Sequence, residues 1–305
     1  VHFALSFSGG ASKGRAFIRA PSTAEEVFAM NKLVKLVTFS CKQNPTARVG
    51  LMVGAQQVLD LTADAVGKLN KKLPGRSGDM ITFISQAGAE TVGELQALLA
   101  DGAFKGSELR PVDELKLHAP VVPTRNVLCV GKNYKDHVAE MGGENSLPKH
   151  AIFFTKAPQA IVPTGGEVES HPTITKMLDY EAELAVIIGK KGRDIKKADA
   201  LEYVFGYSIA NDVTSRDLQK KHTQWFKGKT LDSSCPLGPC IVPAACLDAS
   251  DLSIKLWVNG EKRQDSRTSN MIFSIPELIE QLSEGFTLYP GDILLTGTPD
   301  GVGVA

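Results

Sequence analysis

The chain predicts an α+β fold in which β structure dominates, and three observations carry that reading. Short runs of strand length, apolar or alternating, recur along most of the 305 residues. Gly, Pro, Asn and Asp turn signals separate them, rather than a helix after each strand. Helical periodicity is clearest in just two stretches, residues 87–100 and 274–283. Strands therefore outnumber helices, and a mixed sheet is expected rather than a doubly wound parallel one.

Taken in order, the first acidic residue is Glu25, and Lys13, Arg15 and Arg19 precede it among Ser, Ala and Phe. Two readings of residues 1–30 stand open: a mitochondrial transit segment and a tail without structure. Met30 offers a second start. From Leu33 the runs VKLVTFS, VGLMVG and QQVLDLT read as strands, with Asn44-Pro45 and Gly54-Ala55 as turns and a hairpin at Gly54. AGAETVGELQALLA reads as a helix with Val92, Leu95, Leu98 and Leu99 on one side. Pro111, Pro120 and Pro123 then break regular structure. A boundary near residue 118 follows, giving a β-rich N-terminal domain (31–118) and a larger domain (119–305).

In the second domain NVLCVG is a buried-strand candidate, and NYKDHVAEM has helical or turn character. AELAVIIGK and YVFGYSIANDV read as buried strands. LSIKLWVNGEKRQ reads as a hairpin turning at Asn259-Gly260. SIPELIEQLS opens with Ser-x-x-Glu, the signature of a capped helix. GDILLTGTPDGVG is a strand entering a glycine-rich loop. The last residues, GTPDGVGVA, lie in turn-rich sequence, and a truncated C-terminus is expected.

Lys+Arg and Asp+Glu both total 34, so no basic excess marks a nucleic-acid partner. No run of about 20 apolar residues is present for a membrane span. The five cysteines, Cys41, Cys129, Cys235, Cys240 and Cys246, are odd in number and lack C-x-x-C spacing. They read as buried free thiols in a reducing compartment rather than as disulfides or a zinc site.

The chemistry concentrates in LDYEAELAVIIG. Glu181 and Glu183 stand two apart in an apolar strand, so both side chains share one face. Burying two carboxylates together costs several kcal/mol per ion unless a positive charge joins them. A divalent cation held by hard oxygen ligands fits, whereas the plainer alternative is a solvent-facing pair on an edge strand. Asp212 supplies a third carboxylate at the end of FGYSIAND. Arg216 and Gln219 follow it by four and seven, which a helix would place on one side; Asp217 reads as a surface charge. His137 and Glu140 are three apart, and a carboxylate beside histidine suits a general base. Lys229, in WFKGKTLD, can reach a carboxylate or carbonyl. The segment 296–299 (TGTP) offers donors for a substrate carboxylate.

The runs NVLCVGKNYKDHVAEM, DYEAELAVIIGKKGRDI, ANDVTSRDLQ, QWFKGKTLDSSCPLGP, VNGEKRQDSRTSNMIF and YPGDILLTGTPDGVG, in this order, resemble the fumarylacetoacetate hydrolase family. They are most similar to a branch described as mitochondrial oxaloacetate tautomerases. The resemblance spans about residues 119–305 and implies a mixed β-sandwich roll behind the small N-terminal β domain. By it, Glu181, Glu183 and Asp212 hold Mg²⁺, with Mn²⁺ or Ca²⁺ as substitutes. His137 and Glu140 form a catalytic dyad on a mobile lid, and Lys229 joins them. Lys132, Arg216, Gln219 and Thr298 contact substrate; Lys132 stands where many relatives have Arg, so its contact is single rather than forked. The implied chemistry is enolisation of a small 2-oxo acid by a homodimer, in the mitochondrial matrix rather than the cytoplasm. Tautomerisation of oxaloacetate leads. Hydrolysis of acylpyruvates or fumarylpyruvate, decarboxylation of oxaloacetate, and an inactive metal-binding scaffold are the alternatives.

Overall fold

The computed structural model describes residues 7–8, 33–62, 79–101, 109–140 and 147–304. Apart from residues 7–8, the segment 1–30 read above as a transit or tail lies outside them, as does Ala305.

Two sheets organise the molecule. The first is five-stranded and antiparallel, in the order Leu109–Pro111, Gln57–Asp60, Asn44–Val53, Leu36–Cys41, Leu115–Leu117. Its hairpin at Gly54 is as expected. The other turn differs: the chain reverses at Lys42-Gln43, and Asn44 already pairs with Cys41. Pro45 is tolerated because it falls near the strand's start, where a bulge interrupts the ladder and the other edge is not yet paired. The expected helix runs Ala89–Asp101, with Val92 and Leu95 buried. A shorter helix, Met80–Gln86, precedes it, capped by the Asp79 carboxylate on the Thr82 N–H.

The second sheet is eight-stranded and mixed. Its path is Ile152–Lys156, Val127–Gly131, Ile293–Leu295, Ala182–Ile188, Val204–Asn211, Cys235–Leu237, Ile161–Pro163, with Val242–Pro243 beside Val204–Asn211. The two longest strands are antiparallel neighbours at its centre. Alternation along Ala182–Ile188 splits its residues between two cores. Ala185 and Ile187 enter the core shared with the five-stranded sheet. Leu184, Val186 and Ile188 meet Ile275, Leu278 and Ile279 of the helix Ile275–Ser283. That helix starts with the expected capping box, Ser274 with Glu277. The hairpin of Ser253–Val258 and Glu261–Arg267 turns at Asn259 and Gly260, both at positive φ.

The sheets are joined as well as stacked. Leu36 and Ile241 exchange backbone hydrogen bonds of 2.9 and 2.8 Å, and one apolar core draws on residues before and after 118. Cys41, Cys129 and Cys235 are buried free thiols, while Cys240 and Cys246 are only partly covered.

Candidate active site

Period-two alternation decides where the carboxylates go. Glu183 has the parity of Ala185 and Ile187, and Glu181 stands two residues earlier, so both acids extend the inner face beyond its apolar part. The antiparallel register pairs Ala182 with Asn211, which brings the end of one strand beside the start of the other. Asp212 donates its N–H to the Glu181 carbonyl at 2.8 Å. Oxygens of Glu181, Glu183 and Asp212 consequently lie within 4.8 Å of one another, and all three residues are buried. Such a cluster can hold a metal ion.

Each carboxylate has one oxygen tied down. Glu181 Oε1 accepts from Arg216 Nη1 at 2.7 Å and from Thr214 Oγ1 at 3.1 Å. Asp212 Oδ1 accepts from Lys156 Nζ at 2.8 Å. Glu183 Oε2 accepts from the Gly297 N–H at 2.7 Å. Gly297 reaches it from φ +95°, and an added Cβ there would stand 2.9 Å from Asn133, so glycine is required. The second oxygens of Glu181 and Asp212 both face Lys229 Nζ, at 2.7 and 2.6 Å.

Electrostatics separates the three acids. Burial pushes Glu181 upward, but Lys229 and Arg216 outweigh it and hold it below the usual carboxylate range. Glu183 is driven well above that range, by burial first and then by the Asp212 and Glu181 charges. Burial opposes the charged form of Lys229 as well, yet the surrounding carboxylates keep it cationic. His137 is lowered by burial, so its imidazole is neutral near pH 7.

The expected dyad sits on the helix Lys135–Glu140. His137 Nδ1 lies 3.7 Å from Glu140 Oε2, too long for a hydrogen bond. The Glu140 carboxylate instead accepts from the Gly301 N–H at 3.0 Å. Buried Asn133 fixes this helix to the strand-end loop, donating to the Thr296 and Phe273 carbonyls at 2.8 and 3.1 Å. Arg216 does gather with Gln219, at 3.2 Å, and with Glu181. Asp212 is not on their helix, which spans Arg216–Lys221; the backbone leaves the strand through Thr214–Ser215 first. Asp217 is no plain surface charge, since it accepts from Thr175 Oγ1 and the Lys176 N–H and anchors that loop. Thr298 is buried, its hydroxyl engaged by the Ala182 carbonyl and Gln264 Nε2. Lys132 is exposed, at φ 56°, and lies apart from the triad's hydrogen bonds.

Four residues escaped the sequence reading. Lys156 is wholly buried and bonds Asp212 Oδ1, the Val213 carbonyl and the Lys229 carbonyl. Its signal was present: a lysine ending a strand whose residues 152–154 are apolar, the same pattern that picks out Glu181 and Glu183. Asp179, also buried, accepts from Arg216 Nε at 2.8 Å. Gln264 takes the Ala182 N–H and donates to Thr298. Tyr134 has a buried hydroxyl with no partner.

Size is a poor guide to this site. A cavity of about 1070 Å³ lies elsewhere, walled by Phe205, Tyr207, Leu247 and Ile275 among others, and none of the triad lines it. The buried charges, not the volume, single out the carboxylate cluster.

Residues 126–305 match the family model described as fumarylacetoacetate (FAA) hydrolase, C-terminal. The chain belongs to the fumarylacetoacetate hydrolase family. It is 47% identical over 265 residues to oxaloacetate tautomerase YisK of Bacillus subtilis, covering 84% of this chain and 86% of that one. Among solved structures it resembles the fumarylacetoacetate hydrolase of Exiguobacterium antarcticum, with TM-score 0.72, 38% identity and 88% of each chain covered. It also resembles the fumarylpyruvate hydrolase of Pseudomonas aeruginosa solved with Mn²⁺ and pyruvate. There the TM-score is 0.55 and the identity 40%, over 62% of this chain and 82% of that one.

Proposed function

We propose that this chain is a divalent-metal-dependent enzyme that enolises small 2-oxo dicarboxylic acids, specifically an oxaloacetate keto–enol tautomerase. One observation carries the reading: three buried carboxylates with oxygens within 4.8 Å of one another, in a chain close to YisK. Three single hard oxygens suit a small octahedral cation such as Mg²⁺ or Mn²⁺ better than Ca²⁺, which takes roughly six to eight ligands. Glu181, Glu183 and Asp212 would hold it. Bound there, the cation would polarise a 2-oxo group and make the neighbouring C–H acidic.

The remaining work belongs to the chain's own residues. Arg216 keeps Nη2 buried and unpartnered, a donor ready for a substrate carboxylate. His137 is neutral and its Nδ1 is free of hydrogen bonds, so it can take a proton from C3 for delivery to the 2-oxo oxygen, or carry it the other way. Burial of His137 and of Val138 behind it keeps bulk water from that proton. Lys229 supplies positive charge within the site, where a dianionic substrate needs it. The test is the ultraviolet decay of enol-oxaloacetate with and without EDTA. Acceleration that EDTA abolishes is expected; a rate equal to background leaves the inactive scaffold.

The second reading, a C–C hydrolase of acylpyruvates, has the His137–Glu140 juxtaposition behind it, since that pair suits a water held against a second carbonyl. Oxaloacetate, acetylpyruvate and fumarylpyruvate assayed side by side in Mg²⁺ separate the two. Efficient cleavage of acetylpyruvate with an unchanged oxaloacetate keto–enol ratio would replace the tautomerase. A mitochondrial location is part of the proposal; the basic, acid-free stretch before Glu25 supports it.

A further inference from the structure

We propose that Lys229 is an internal counter-ion that a divalent cation displaces, and that the displaced ammonium then receives the second carboxylate of the substrate. The idea rests on the metal-site reading above and goes beyond it in assigning Lys229 two positions.

The two buried lysines of the cluster are bound differently. Lys156 spends its donors on Asp212 Oδ1, the Val213 carbonyl and the Lys229 carbonyl, and it is 0% exposed. Every partner is a group that a bound cation leaves in place. Lys229 Nζ instead holds Glu181 Oε2 and Asp212 Oδ2, the oxygens that Arg216, Thr214 and Lys156 leave untied. Those are the oxygens that the other donors leave for a cation in the triad to compete for. An ammonium and a divalent ion cannot share them at such distances without strong repulsion.

Charge balance points the same way. Arg216 is balanced by Asp179, and the three ionised carboxylates are then neutralised by one divalent ion together with the Lys156 ammonium. A second lysine in the same place is surplus by one positive charge, and a dicarboxylic acid arrives with the negative charge to match it. The substrate class of the proposed function is thus the class that Lys229 needs as a partner.

The local structure permits the movement. Lys229 is the last residue of the short helix Phe226–Lys229. Its backbone carbonyl is pinned by Lys156 Nζ and by Ser234 Oγ, so the main chain stays while the four-carbon side chain swings. The Phe154 ring, whose centroid is already 5.0 Å from Nζ while it holds the carboxylates, keeps a favourable contact within reach as the ammonium moves.

Wild-type protein is stripped with EDTA, and Mn²⁺ alone is titrated by calorimetry to establish binding. Accessible lysines are then reductively methylated with and without Mg²⁺, and the peptides are read by mass spectrometry. Lys229 should be protected in EDTA and modified several-fold more with Mg²⁺, while Lys156 stays protected and exposed Lys132 reacts in both. In parallel, Lys229→Met should bind Mn²⁺ at least about tenfold more tightly than wild type, because a competing cation is gone. If Mn²⁺ binds but Lys229 remains equally protected, or the variant binds no better, the exchange is wrong and the metal site stands. If wild type binds no Mn²⁺, both ideas fall. The labelling arm uses wild-type protein and does not depend on the variant folding.

Discussion

Buried charge occurs in both sheets of this molecule, and it is handled in opposite ways. In the five-stranded sheet Arg48 and Asp60 form an ion pair of 2.9 Å, with side chains 8% and 11% exposed. Arg48 also donates to the Asn44 and Thr46 carbonyls, and Asp60 also accepts from Thr62, so the pair closes on itself. In the eight-stranded sheet the charges outnumber their closed bonds. Among the described residues seven buried side-chain polar atoms lack a partner, and Tyr134, His137, Asn211, Arg216 and Thr230 own five of them. All five residues lie beside the triad or next to Lys229 in sequence. Native proteins rarely leave such groups unpaired, and a concentration of them marks a place built to receive something. The difference is therefore one of completeness between the Arg48–Asp60 pair and the triad, since among the described residues the five-stranded sheet holds a single orphan of its own, Arg110 Nε, away from that pair.

The largest break in that comparison is expected from Glu181→Ala. Relief of repulsion between carboxylates, which the sequence alone suggests, is outweighed because Glu181 neutralises both Arg216 and Lys229. The variant should lose Mn²⁺ binding and turnover, and stability should fall by about 3–5 kcal/mol as Arg216 and Lys229 each lose one of their two carboxylate partners. Calorimetry and thermal melts measure both. Arg48→Met is the counterpart. It should lose a similar about 3–5 kcal/mol by stranding Asp60, yet keep wild-type Mn²⁺ affinity; a tenfold change in affinity would show that the two sheets are coupled.

Glu140→Gln probes the dyad without touching the triad. Any C–C hydrolysis should drop about 10²–10⁴-fold through loss of general-base help, while enol-to-keto conversion keeps more of its rate. Equal losses in both activities would merge the two mechanisms.

The smallest effect, and the sharpest, belongs to Glu183. Its folded value lies above its unfolded one, so the metal-free protein is favoured below the ordinary carboxylate range and loses that contribution as pH rises toward the raised value. Glu183→Gln cannot ionise. In EDTA it should gain on wild type as pH climbs above the ordinary carboxylate range, although it binds metal poorly. Wild-type affinity for Mn²⁺ should rise over the same interval, since a proton must leave with binding. Parallel melting curves for the two proteins at every pH would remove this account.

Much of the molecule was readable before any coordinates. The period of two in residues 181–188 placed two acids on one face, because alternation is a property of the extended backbone. Asn259-Gly260 announced its hairpin and Ser274 with Glu277 its helix, since both signals act within a few residues. Cys41–Asn44 shows the limit even at short range: Asn-Pro advertises a turn, but the bulge and the unpaired edge that let Pro45 begin a strand come from neighbouring strands. The identity of the cluster's partners was decided only by the tertiary structure. Lys156, Arg216 and Lys229 meet the triad from separate stretches of chain, and their distances depend on the order and register of strands that no local pattern encodes. Composition and spacing determined which residues carry charge into an apolar strand. The closed sheet determined which charges face each other, because a buried ion's energy is set by what lies within a few ångströms of it rather than by its neighbours in sequence.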